Sequence, residues 1–246
     1  MCRNLLGVGV LTAAVIMLPT LADGQKADDS GWVQLFNGKD LTGWKLHDKP
    51  SPAIVEVIPK QKAGKLVGYD GKLKDGQIVP LWRVEDGILI GSGPPSHLFS
   101  ERGDYQNFHY RIEAMINDSG NSGQYFRTEF GPGFPKGYEA QINATHHDPV
   151  RTGSLYPAGG LAKYRDQITV LNNAPHKPNE WFTQEVIAHG NHIIILVNGK
   201  KTVDWTDPES RYTKGHFALQ GHDPRTTVKF KKIEVKELPP GKVFRD

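Results

Sequence analysis

Two stretches hold the densest set of side chains able to do chemistry. They are Asn121-Ser122-Gly123-Gln124-Tyr125-Phe126-Arg127 and Gly137-Tyr138-Glu139-Ala140-Gln141-Ile142-Asn143. Each reads as a β-strand, in which residues i, i+2 and i+4 point the same way. Tyr125, Arg127 and Glu129 then share one face of the first strand. Glu139, Gln141 and Asn143 share one face of the second, while Tyr138, Ala140 and Ile142 take the other. A later stretch adds Gln220 and His222, in phase with His216 and Ala218, with Phe217 and Leu219 pointing the opposite way. If that strand joins the same sheet, Arg127, Glu139, Gln141, Gln220 and His222 converge.

A face of Arg, Glu, Gln and Asn is either solvent surface, common on antiparallel sheets, or the polar floor of a site. His146-His147-Asp148 follows the Glu139 strand and fits a solvated loop or a part of that site; His222-Asp223 equally fits a turn. Glu139 with His222 suits a divalent metal, or a base and its partner. No two of these ligands lie at a recognised metal-binding interval. Tyr125, Tyr138 and Tyr156 suit sheet packing more readily than sugar stacking. Other chemistries lack their signatures. There is no Gly-rich phosphate loop, no H-E-x-x-H and no G-x-S-x-G elbow. A retaining glycosidase needs two carboxyl groups about 5 Å apart, and no strand carries an obvious pair.

The elements that must position these residues are strands. Trp32 to Phe36 and Leu41 to Trp44 read as short strands, and Trp82-Arg83-Val84 with Ile88-Leu89-Ile90 as a hairpin around Glu85-Asp86-Gly87. Phe108 to Ala114 alternates apolar and polar as a half-buried strand does. Trp181 to Ala188, Ile193 to Val197 and Lys201 to Trp205 form three consecutive antiparallel strands, the last two joined by Asn198-Gly199, a type I′ turn signal. His216 to Gly221 and Val228 to Leu238 close the series. Residues 47 to 80, 92 to 104 and 144 to 180 read as loops, and beyond the N-terminus no stretch has a helical period. Many short strands between turn signals predict an all-β sandwich, one of whose sheets lines a concave face.

The chain of 246 residues is long enough for one large β domain. Its 30 basic and 27 acidic residues are interspersed for a net charge of +3, without the basic stripe that nucleic acid demands. Residues 1 to 22 resemble a secretory signal, with Arg3, an apolar run from Leu5 to Leu18, and Thr20-Leu21-Ala22 as the cleavage site. The run, about 14 residues, is shorter than the roughly 20 of a membrane span. Cleavage after Ala22 removes Cys2, the only cysteine, so an exported mature chain has no disulfide framework. Residues 23 to 30 are a polar lead-in to a single domain over 31 to 246.

Gly31-Trp32-Val33-Gln34-Leu35-Phe36-Asn37-Gly38-Lys39-Asp40-Leu41-Thr42-Gly43-Trp44 resembles the opening signature of the 3-keto-disaccharide hydrolase domain family. The likeness continues in order through Trp82 to Gly87, Asn121-Ser122-Gly123, Phe126-Arg127, Gly137 to Ile142, Thr152 to Tyr156, Glu180-Trp181, Val197 to Gly199, Gly215 to His222 and Val228 to Ile233. Lys231-Lys232 stands where members often carry Arg-Asn. The resemblance covers about residues 31 to 238. It implies a concanavalin A-like jelly-roll sandwich, export to the periplasm or beyond, and action on 3-keto-glycosides. A ketone at C3 acidifies the C2 proton; a base removes it, the C1 substituent leaves by β-elimination, and water can add back. Such chemistry needs a base, a positive group at the enolate oxygens and a proton donor, so the missing carboxylate pair is expected. On this reading Arg127, or a metal held by Glu139 and His222, serves the enolate. His146 or His222 is the base, and Asn121, Gln141, Tyr156 and Gln220 bind the sugar. The alternatives are a non-catalytic lectin-like module on the same sandwich, since fold does not fix function, and an ordinary glycosidase.

Overall fold

The computed structural model describes residues 31–241. The fifteen strands are β1 (Val33–Gln34), β2 (Trp44–Leu46), β3 (Ile54–Lys62), β4 (Lys65–Leu73), β5 (Ile78–Glu85), β6 (Ile88–Gly91), β7 (Ser96–Ser100), β8 (Phe108–Ile116), β9 (Ser122–Thr128), β10 (Tyr138–Ile142), β11 (Phe182–His189), β12 (His192–Val197), β13 (Lys200–Thr206), β14 (His216–Gly221) and β15 (Val228–Glu237). Between β10 and β11 lie a 3₁₀ turn, Gly159–Tyr164, and a one-turn helix α1, Arg165–Ile168. Among the described residues no helix is long and apolar enough to cross a membrane. The signal and lead-in read from residues 1 to 30 lie outside the described residues.

The strands form a jelly-roll sandwich of two antiparallel sheets. The large sheet runs β13-β12-β11-β8-β15-β6-β5-β4-β3, with β1 also on β15; the small sheet runs β10-β9-β14-β7-β2. In β8 the alternation works as the sequence dictates. Phe108, Tyr110, Ile112, Ala114 and Ile116 are fully buried, while Arg111 and Glu113 on the outer face pair with Glu234 and Lys231. Phe217 of β14 stacks on Tyr110 with centroids 4.0 Å apart, joining the two sheets across the core. At Asn198 and Gly199 both φ angles are positive, 50° and 74°, as the type I′ turn requires.

Two expected loops are strands. Residues 54–73, expected as insertion, form the β3–β4 hairpin. β3 is an edge strand, exposed along most of its length, so no alternating apolar face exists for the sequence to display. Residues 96–100, expected as loop, form β7. All five are buried, so β7 is covered on both faces and period 2 is erased. The same holds for β9, β10 and most of β14. One face of the small sheet meets the core, and the other lies under the loops after β9 and β10.

Candidate active site

That second face is the polar face read from the sequence, and it is buried. Glu139 and Gln141 of β10 lie across from Tyr125 and Gly123 of β9. Gln220 of β14 lies across from His97 of β7. Gly123 makes the floor possible: a Cβ there would stand 2.3 Å from Glu139 Oε1, so only glycine lets the Glu139 side chain lie flat over β9. Asn121, Tyr125, Glu139, Gln141, Gln220 and His222 line a pocket of about 370 Å³, within the range of small-molecule sites. His146, His147, Asp148 and Tyr156 come from the loop after β10, and Phe134 and Pro135 from the loop before it.

Asn143, in phase with Glu139, builds the first of these loops. Its Nδ2 donates to the carbonyls of Asp148 and Val150, at 3.0 and 2.8 Å, and its Oδ1 accepts the His146 N–H at 2.8 Å. Each Asp148 oxygen then has a partner, Oδ2 accepting from the Tyr156 hydroxyl at 2.8 Å and Oδ1 from the Val150 N–H at 2.9 Å.

The hydrogen bonds assign the two histidines different roles. His146 Nδ1 faces the backbone N–H of Asp148 at 3.2 Å and the Asn121 amide at 3.3 Å, so that nitrogen carries the lone pair. Burial, with His147 and His222 close by, lowers its pKa, so the ring is neutral with its proton on Nε2. His222 is the reverse. Its Nδ1 lies 2.8 Å from Asp223 Oδ2. Burial alone would raise the Asp223 pKa, but hydrogen bonds from His222, the Arg225 N–H and Thr226 outweigh it and keep the carboxylate charged. His222 therefore donates from Nδ1 and keeps a lone pair on Nε2. The Thr226 hydroxyl donates to Asp223 at 3.0 Å and accepts the Asn121 N–H at 3.0 Å, tying this turn to the start of β9. The two imidazole rings stand edge to face, 5.6 Å apart.

Glu139 is the third reactive group. Burial pushes its pKa up to about 8; a hydrogen bond from Tyr125 opposes this and the nearby Asp148 adds to it. At neutral pH the carboxyl keeps its proton. The Tyr125 hydroxyl, also 3.2 Å from Gln220 Nε2, links Glu139 to β14.

Arg127 does not join the site. β9 bulges opposite β14 between Tyr125 and Thr128, and Arg127 takes a left-handed backbone with φ of 52°. This turns the side chain out of phase with Tyr125. Its guanidinium is buried and donates to the carbonyls of Gln106, Gly190 and Tyr212, pinning three loops together. The expected pairing of Glu139 with His222 on a metal is also not what forms. The donors that come together are His146, His222 and Asp223, with ligand atoms within 4.8 Å of one another. Two imidazoles and a carboxylate suit a divalent ion, although a closed tetrahedral site holds its donors about 3.4 Å apart and both Asp223 oxygens already have partners. An ion held there would add positive charge beside the pocket.

The other expected residues, Asn121, Gln141, His146, Tyr156, Gln220 and His222, are brought together. Sequence reasoning set Tyr125 aside as packing, although its phase with Glu139 across the β9–β10 hairpin was readable. It missed Asp148 as a loop-builder, Phe134 altogether, and His97, which sits in a stretch expected to be loop.

The site is thus a buried polar pocket on the small sheet of a jelly-roll sandwich, with a buried carboxyl beside an oriented histidine pair. The chain belongs to the 3-keto-α-glucoside-1,2-lyase-like domain family, whose sequence profile matches residues 31–236. Two crystal structures from Parabacteroides distasonis, each provisionally named a glycosyl hydrolase, resemble it. One is 22% identical with a TM-score of 0.62, covering 85% of this chain and 95% of its own. The other is 19% identical with a TM-score of 0.57, covering 84% and 99%. At such identities they speak to the fold alone. A comparison with curated proteins gives no match.

Proposed function

We propose that the protein cleaves 3-keto-glycosides by proton abstraction at C2 and β-elimination of the C1 substituent, with or without readdition of water. The observation that carries this is the arrangement of three groups around a single pocket: a histidine held by a carboxylate, a second histidine whose Nδ1 faces two N–H donors, and a buried carboxyl. His222 Nε2, held by Asp223, takes the C2 proton. His146 Nε2–H donates to the C3 oxygen as negative charge develops there. Glu139 gives its proton to the departing C1 oxygen. The C2–H and C1–O bonds break, a C1–C2 double bond forms, and the C3 ketone is restored. Water exchange then returns the proton from His222 and reprotonates Glu139. Asn121 and Gln141 hold ring hydroxyls.

A two-carboxylate glycosidase is disfavoured because Asp148, the other pocket carboxylate, has both oxygens committed. The N-terminal signal pattern supports an exported location. The test is incubation with a 3-keto-glucoside beside the parent glucoside, with and without chelator. The reading expects cleavage of the keto sugar alone. Comparable cleavage of both would overturn it, as would binding without cleavage of either. The chelator arm separates the His222–Asp223 base from a metal-held form of the same residues.

A further inference from the structure

His97 is the second residue of β7, 2% exposed, and neither of its ring nitrogens has a hydrogen-bond partner. Gln220, directly opposite on β14, has the same problem at Oε1, its Nε2 being turned to Tyr125. Opposed residues on an antiparallel pair point to the same face, so three unsatisfied polar atoms crowd one spot beside the pocket. Buried polar groups without partners cost stability and are rare in folded proteins. Burial, with His222 nearby, lowers the His97 pKa to about 3, so the ring stays neutral. It offers one donor and one acceptor, and Gln220 Oε1 a further acceptor. An anion would need donors only, a cation acceptors only, and a flat arene neither. Neighbouring hydroxyl groups, each both donor and acceptor, match the set.

What covers this spot is the turn between β9 and β10. Its anchor is Phe130, whose ring lies 5.1 Å from Phe99 and 5.3 Å from His47, with Lys45 Nζ 4.3 Å above it. The Gly133 N–H adds a bond to the Pro50 carbonyl at 2.9 Å. Phe134 is not an anchor. It is 62% exposed, yet its ring lies 5.7 Å from His97 and 6.2 Å from His222. Little buried area holds this ring over His97. Tyr125, edge-on to His97 at 5.3 Å, supplies an aromatic wall on the other side.

We propose that His97 and Gln220 Oε1 form a second subsite beneath Phe134, reading adjacent hydroxyls of the sugar ring attached to the reacting one. This rests on the pocket being a glycoside site, but not on the elimination chemistry. The test is calorimetric titration of the full chain with maltose and with methyl α-glucoside. The wild type should bind maltose about tenfold more tightly, the yield of one or two hydrogen bonds. His97→Phe keeps the ring packing and removes both nitrogens; it should abolish the preference and leave methyl α-glucoside binding unchanged. His97→Leu replaces it if the phenylalanine variant does not fold. The proposal falls if the wild type binds both sugars alike or binds neither. It also falls if the preference survives in the variant, or if the variant loses both ligands equally. Failure to cleave any 3-keto sugar, with the binding preference intact, would count against the proposed reaction and not against this subsite.

Discussion

Glu139→Gln separates a catalytic acid from a structural one, because the two roles leave different pH signatures. The folded chain holds the Glu139 proton up to a pKa of about 8, whereas the ordinary value is 4.5. Between those values the native state binds more protons than the unfolded state, so stability falls as pH rises through the window and levels off above it. The shift of about 8 − 4.5 = 3.5 units, at 1.36 kcal/mol per unit, sets a ceiling of about 5 kcal/mol. Relaxation around the buried carboxylate brings the expected figure to about 2–4 kcal/mol. Glutamine stays neutral at every pH. The variant should therefore match wild type near pH 5 and exceed it at pH 9, by about 4–16 °C at 2–4 °C per kcal/mol. Scanning calorimetry of both proteins at the two pH values reads this directly. Turnover of a 3-keto-glucoside per folded molecule should fall about 30- to 1000-fold at pH 7, and the wild-type rate should decline above about pH 8 as the acid loses its proton. An equal difference in melting temperature at pH 5 and pH 9 would refute the raised pKa. Unchanged turnover would remove Glu139 from the chemistry.

Four further variants test the same geometry. His222→Ala should cost about 10²–10⁴ in turnover, and Asp223→Asn, which leaves the ring but loses its orientation, about 10–100; steady-state rates on well-folded samples check both. Gly123→Ala should push Glu139 aside, lowering turnover much as Glu139→Gln does, with about 1–3 kcal/mol of destabilisation read by urea midpoint. Arg127→Met strands the carbonyls of Gln106, Gly190 and Tyr212. It should lower stability by about 3 kcal/mol or more while turnover per folded molecule stays near wild type.

Where one face of a strand met the core and the other met water, the sequence could display the fold: β8 alternates almost residue by residue, whereas β12, which alternates in burial, reads His192-Ile193-Ile194-Ile195-Leu196-Val197 and shows no such period. β7 and β3 failed for opposite reasons, one covered on both faces and the other on neither, so neither had a period to read. Phase along β10 and β14 placed Glu139, Gln141 and Gln220 on one floor. The same logic misplaced Arg127, because a bulge breaks phase and nothing in Phe126-Arg127-Thr128 announces one. The histidine roles were beyond any periodicity argument. They depend on the Asp148 N–H reaching His146 and the Asp223 carboxylate reaching His222, contacts set by loop closure.

In the proposed elimination a proton leaves C2 before the glycosidic bond breaks. Rates on a 3-keto-glucoside carrying deuterium at C2, beside the unlabelled sugar, test it most directly. Proton abstraction at C2 predicts a primary isotope effect on kcat/KM, lost label in the recovered products, and no cleavage of the parent glucoside. Equal rates for the two isotopologues, with the deuterium retained at C2 in the product, would contradict it.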